Sequence, residues 1–107
     1  MAILSFGSSG LVKRYISEKG SAWIQSLTDP SSGNSIYVAR ITGAELIAAI
    51  TRRQRRGATT HEDALAAVVA FRTDFHHAYF PIDITPGIVL RAMNLAEHHD
   101  LRGYDAV

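Results

Sequence analysis

Glu45 and Asp105 are the two carboxylates whose settings suit chemistry. Glu45 lies in Arg40-Ile41-Thr42-Gly43-Ala44-Glu45-Leu46, where a strand-like run passes into a helical one, and Asp105 lies in Leu101-Arg102-Gly103-Tyr104-Asp105-Ala106-Val107, where another helix starts to form. Carboxylate oxygens are the natural ligands of hard cations such as Mg²⁺ and Mn²⁺. Two to four carboxylates converging on one point hold a cation that polarises a phosphate and activates a water, which is the chemistry of phosphodiester hydrolysis. Each residue also has a plainer account. Glu45 follows Thr42 at the capping-box spacing, and Asp105 is the kind of acid a helix dipole favours in a first turn.

Other candidates carry less. Ser9 has no His–Asp relay that the sequence places beside it. Gly7 to Gly10 is too short for a phosphate-binding loop and lacks its lysine. The histidines occur as His76-His77 and His98-His99, with His61 alone. Helical neighbours point about 100° apart, so neither pair converges on a metal. Asp83 reads as a turn or cap residue. Arg52, Arg53, Arg55 and Arg56 form the one basic run, which suits a helix C-terminus or contact with phosphates or an acidic partner. Lys13 and Arg14 stand near the first corner of the chain, as candidates for contact with a substrate or simply as residues that the first helix exposes.

The elements that must position these residues follow from spacing. Ala2 to Phe6 is a short apolar strand, broken by Gly7-Ser8-Ser9-Gly10, with Ser8 or Ser9 as the cap of a helix through Leu11 to Tyr15. A second short helix runs from Gly20 or Ser21 to Leu27, and residues 29–34 are a loop. Ile36, Tyr37 and Val38 form a buried strand. Thr42 then caps a helix carrying Leu46, Ala49, Ile50 and Arg53 on one stripe and ending at Gly57. Thr59 and Glu62 make a second capping box, opening a helix with Leu65, Val68, Val69, Arg72 and Phe75 on or near its buried stripe. Ala78 to Ile84 is a third strand, and Thr85-Pro86 starts a last helix with Ile88, Val89, Ala92, Leu95 and Ala96 inward. The order β-α-α-β-α-α-β-α has helical crossovers throughout, hence parallel strands. The strand-to-helix corners at Gly7-Ser8-Ser9, Thr42 to Glu45 and Asp83 to Thr85 therefore share one end of the sheet, the end at which such sheets bind ligands.

Composition bounds the rest. The 107 residues make one domain, with an apolar share of 47% and a net charge of +1 that provides no bulk attraction for nucleic acid. Nine of the eleven cations are arginine. The absence of Cys rules out disulfides and thiolate metal sites and fits a reducing cytoplasm. No apolar run approaches the roughly 20 residues of a membrane span, and the start of the chain lacks the pattern of a signal peptide.

Three segments together resemble the PIN-domain ribonucleases, and within them the VapC-type toxins of toxin–antitoxin pairs: Ser8-Ser9-Gly10-Leu11-Val12-Lys13-Arg14-Tyr15, Arg40 to Leu46 with the following Arg52-Arg53-Gln54-Arg55-Arg56-Gly57, and Leu101 to Val107. The resemblance implies an α/β fold, a PIN-like parallel sheet with helices on both faces. Three strands are present and the C-terminal strands are missing, so that residues 1–107 make about three quarters of the domain. It implies an endoribonuclease dependent on Mg²⁺ or Mn²⁺, with Glu45 and Asp105 as metal ligands and Ser9, Lys13, Arg14 and Thr42 in support. The family's first metal-binding Asp falls on Gly7, which offers no carboxylate, so the metal would be weakly held. Implied partners are a VapB-like antitoxin, an RNA substrate and a second copy of the chain in a homodimer. A missing strand beyond the first would leave Ala2 to Phe6 as an apolar sheet edge, open to pairing. The competing expectation is a catalytically silent PIN-like domain that binds protein, as an antitoxin decoy or a dimerisation module. A third is an unrelated helical-hairpin module with no role for Glu45.

Overall fold

Ile36 and Val38 are buried on one side of a five-residue strand, Ser35–Ala39, and that burial sets the layers. This strand, β2, is the centre of a three-stranded parallel sheet in the order β1-β2-β3, with β1 at Ile3–Ser5 and β3 at Phe80–Ile82. The computed structural model describes residues 1–99. Leu4 lies opposite Ile36, and Val38 opposite Pro81. Alternate residues of a strand share a face, so these four lie together. Ile36 and Val38 meet the core formed by Leu11 and Val12 of α1 (Ser8–Tyr15), Leu46, Ala49 and Ile50 of α3 (Arg40–Arg55), and Ala64, Ala67 and Phe71 of α4 (His61–His77). On the opposite face Tyr37 stacks on Phe80 with ring centroids 5.0 Å apart. The second helix, α2 (Ser21–Thr28), packs on α1, and α5 (Pro86–His99) follows β3. The chain is thus α/β, with every strand-to-strand connection helical and the parallel sheet flanked by helices.

Several local features differ from the sequence-based expectation. The first helix begins at Ser8 with Gly7 as its N-cap, so Ser8 and Ser9 lie inside it. Thr42 is not a cap. Helix α3 begins at Arg40, directly after Ala39, and has no side-chain cap. Thr42 is buried in the first turn instead, and Glu45 falls in the second. The cap of α4 is Thr60, not Thr59, and its hydroxyl accepts from the Asp63 N–H at 3.1 Å. The buried line of α4 is Ala64-Ala67-Phe71, one position earlier than the line of larger residues, which leaves Leu65 and Val69 more than half exposed. The line pairs two alanines with Phe71, and the α3 side makes room for its ring: buried Gly43 sits against the rings of Phe71 and Phe75. Strand β3 is shorter than Ala78 to Ile84, and Val89 is exposed where its spacing had placed it inward.

The α3–α4 turn follows the expectation at Gly57. Its φ of 76° is left-handed. Its N–H donates to the Gln54 carbonyl at 3.0 Å, and the Ala58 N–H donates to the Arg53 carbonyl at 2.9 Å. That pair of bonds is the Schellman closure of a helix C-terminus. A Cβ at Gly57 would meet nothing within 4 Å, so any cost of substitution is conformational. Gly57→Ala is expected to lower unfolding free energy by about 1 kcal/mol, measured by urea denaturation with an unchanged m-value.

Candidate active site at the carboxyl end of the sheet

The parallel register puts the ends of β1, β2 and β3 side by side, with Ser5 opposite Tyr37 and Ala39 opposite Ile82. Three helices start from that end. Gly7 caps α1 with φ −81° and ψ 170°, a conformation open to any residue, and a Cβ there would meet nothing within 4 Å. Ser9 is exposed one turn inside α1. Glu45 is exposed on α3, one turn beyond buried Thr42. Asp83, in the corner between β3 and α5, accepts an ion pair from Arg40 Nε at 3.1 Å. This pair joins the corner after β3 to the corner after β2. Both partners are mostly exposed, so it contributes little to stability. Asp105 lies outside the described residues.

Lys13 and Arg14 serve the interior of the fold rather than this end. Glu18 receives two bonds from Arg53, Nε to Oε2 at 2.9 Å and Nη2 to Oε1 at 3.1 Å, and a third from Lys13 Nζ at 3.3 Å. The network ties α1 and the turn after it to α3. Arg14 Nε donates to Asp74 Oδ2 at 3.3 Å, and its Nη1 donates to Thr28 Oγ1 at 3.0 Å. Tyr15 donates its hydroxyl to the same Asp74 oxygen at 2.7 Å, which leaves Tyr79 to donate its own hydroxyl to the Tyr15 oxygen. Burial pushes the Tyr15 phenol far above its ordinary value, with the bond to Tyr79 adding to the shift, and burial likewise raises Tyr79. This cluster sits beside the amino end of β3, since Tyr79 immediately precedes Phe80. Its members were legible in the sequence only as separate residues. No spacing rule joins Tyr15 to Asp74 and Tyr79.

A cleft of about 860 Å³ runs between the end of α1 and α4 and is lined by Arg14, Tyr15, Thr60, Asp63, Ala67 and Ala70 among others. Neither Glu45 nor Gly7 touches it. At the carboxyl end the groups available are the exposed Glu45 carboxylate, the Asp83 carboxylate held by Arg40, and the open space at Gly7. Among the described residues no three His, Asp or Glu side chains gather in a group that could hold a metal ion. Among them, too, no helix is long and apolar enough to cross a membrane. The chain matches no protein-family profile and no curated protein.

The Glu18 network makes an acid-side prediction. The bonds from Arg53, with those from Lys13, hold the Glu18 carboxyl below its ordinary value. A depressed carboxyl contributes stability above its unfolded pKa and loses it as pH falls through the folded one. The contribution is therefore full at pH 7 and fades below about pH 4.5. Glu18→Gln is expected to cost up to about 1 kcal/mol at pH 7, since the pair is partly exposed. The gap between variant and parent in thermal unfolding should close as the pH is taken well below 4.

Proposed function

We propose that this chain is a PIN-like domain of the VapC toxin type, built for metal-dependent hydrolysis of RNA phosphodiesters and weakened in that role by Gly7. The observation that carries the reading is the meeting of three strand-to-helix corners at the carboxyl end of one parallel sheet, with the Glu45 carboxylate exposed beside them. Open parallel sheets bind ligands at this end. The segments around Ser8 to Tyr15, Arg40 to Gly57 and Leu101 to Val107 support the family assignment through their order and residue types.

In this reading Glu45 and Asp105 would hold Mg²⁺ or Mn²⁺, and the cation when bound would polarise a phosphate and lower the pKa of its water. Glu45 holds its carboxylate in solvent without an ion pair from any described residue. Position 7 caps α1 but supplies no side-chain oxygen, either to the α1 N–H groups or to a cation. Ser9, exposed on α1, flanks the site as a second-rank polar group, whereas Thr42 is turned to the core. Lys13 and Arg14 belong to the interior networks and hold α1 in place. Antitoxin binding and homodimer formation are carried by the family resemblance alone.

Gly7 favours a second reading for the chain as it stands, a domain with its catalysis silenced that retains a protein-binding role. One experiment addresses both. RNA cleavage is measured with Mn²⁺ for the chain, for Gly7→Asp and for Gly7→Asp combined with Glu45→Ala, each with an EDTA control. Position 7 accepts the new side chain without steric conflict, and Asp at an N-cap supports the helix by a few tenths of a kcal/mol relative to Gly. The expected result is cleavage by Gly7→Asp that both EDTA and Glu45→Ala abolish, with the Gly7 chain at background. Gly7→Asp remaining at background, in a folded protein, would contradict the nuclease reading.

A further inference from the structure

Arg52, Arg55 and Arg56 are all exposed, and no described carboxylate pairs with any of them. Arg53, within the same run, is the one turned inward, to Glu18. The C-terminus of α3 is already closed by the bonds at Gly57 and Ala58. The three outer guanidinium groups are therefore free of both structural tasks. Across the turn, Glu62 and Asp63 occupy the first turn of α4 and form no ion pair with them.

Their spacing is informative. Residues 52, 55 and 56 stand at i, i+3 and i+4, which places them on one helical stripe. Residue 45 is seven positions before 52 and eleven before 56, close to two and three whole turns. At 3.6 residues per turn, Arg52 and Arg56 lie within about 20° of Glu45 around the α3 axis. At 1.5 Å per residue they lie about 10 Å and about 17 Å from it along the axis. Between them the stripe presents exposed Ala48, a small side chain that leaves the surface open. The exposed face of α3 thus runs from the Glu45 carboxylate near the carboxyl end of the sheet to Arg52 and Arg56 close to its line, with Arg55 about 80° to one side.

We infer that Arg52, Arg55 and Arg56 form a track for the sugar–phosphate backbone of a single-stranded RNA whose reacting phosphate lies near Glu45. The inference rests on the nuclease reading for the placement of that phosphate. Arginine suits the task because its planar fork binds phosphate oxygens in pairs and keeps its charge at any working pH. The net charge of the chain is only +1, so the attraction is local to this track and not a property of the whole surface. The track contacts phosphates, and it accordingly binds without preference for base sequence.

The test measures binding apart from cleavage. Anisotropy of a fluorescein-labelled single-stranded RNA is followed across a KCl series in EDTA, with the Glu45→Ala chain, its triple variant R52Q/R55Q/R56Q, and a control triple variant K19Q/R72Q/R91Q. The control removes the same charge from exposed positions on other elements. Each phosphate contact on a single strand adds about 0.7 to the slope of log K against log salt. The track variant is expected to bind on the order of tenfold more weakly at the low-salt end and to lose about 2 units of slope, with the control close to the parent. Equal slopes in parent and track variant, or an equal loss in the control, would overturn the inference. So would the outcome in which a polyglutamate peptide, and not the RNA, loses affinity in the track variant, since the patch would then serve an acidic protein partner. Because no step requires cleavage, failure of the nuclease reading and failure of the track give different results.

Discussion

Strand β2 passes into α3 without an intervening residue, and the rest of the molecule depends on that junction. Val38 before it, and Leu46 and Ile50 after it, are fully buried. Burying such side chains is worth about 2 kcal/mol each, against about 1 kcal/mol for a good N-cap. The helix therefore starts where the core demands, at Arg40, and does without a side-chain cap. With Thr42, Gly43, Leu46, Ala49 and Ile50 turned to the core, the opposite stripe of Ile41, Glu45, Ala48 and Arg52 must face solvent. The exposure of Glu45 is a consequence of the core, and so is its alignment with the arginines beyond it.

Two polar networks hold the remaining helices against this axis. The Glu18 network anchors α1 to α3, and the Asp74 cluster joins Arg14 and Tyr15 of α1 to α4 and to Tyr79 at the entrance to β3. The Tyr15 ring also meets Phe71 edge-on at 5.6 Å. These contacts absorb Lys13, Arg14 and Arg53, three of the cations that a reading of charge alone would assign to a ligand. What remains free on α3 is the outer set, and its freedom is visible only once the inner set has been accounted for.

The sequence made the element order, the parallel sheet and the Gly57 turn legible because each follows from local rules: apolar periodicity, helical crossovers and a left-handed glycine. The errors arise where tertiary packing overrides a local rule. Thr42 and Glu45 have capping-box spacing, yet burial moved the helix start three residues earlier than the Thr42-to-Glu45 frame requires. Leu65 and Val69 are bulky apolar residues of α4, yet the buried line is Ala64, Ala67 and Phe71, with the Phe71 ring in the space that Gly43 leaves. Partnerships across 35 to 64 residues, such as Arg53 with Glu18 or Tyr15 with Tyr79, leave no trace in spacing. At the candidate site, Glu45 and the open position at Gly7 were legible as residues. Their place at one end of the sheet follows from topology.

The most direct measurement is a double-mutant cycle on Mn²⁺ affinity, by calorimetric titration of the chain, Gly7→Asp, Glu45→Ala and the double variant. If positions 7 and 45 serve one cation, the gain from Gly7→Asp should shrink by tenfold or more when Glu45 is absent, a coupling of about 1.4 kcal/mol. Additive effects, with Gly7→Asp acting alike whether or not Glu45 is present, would contradict a shared site at the carboxyl end of the sheet.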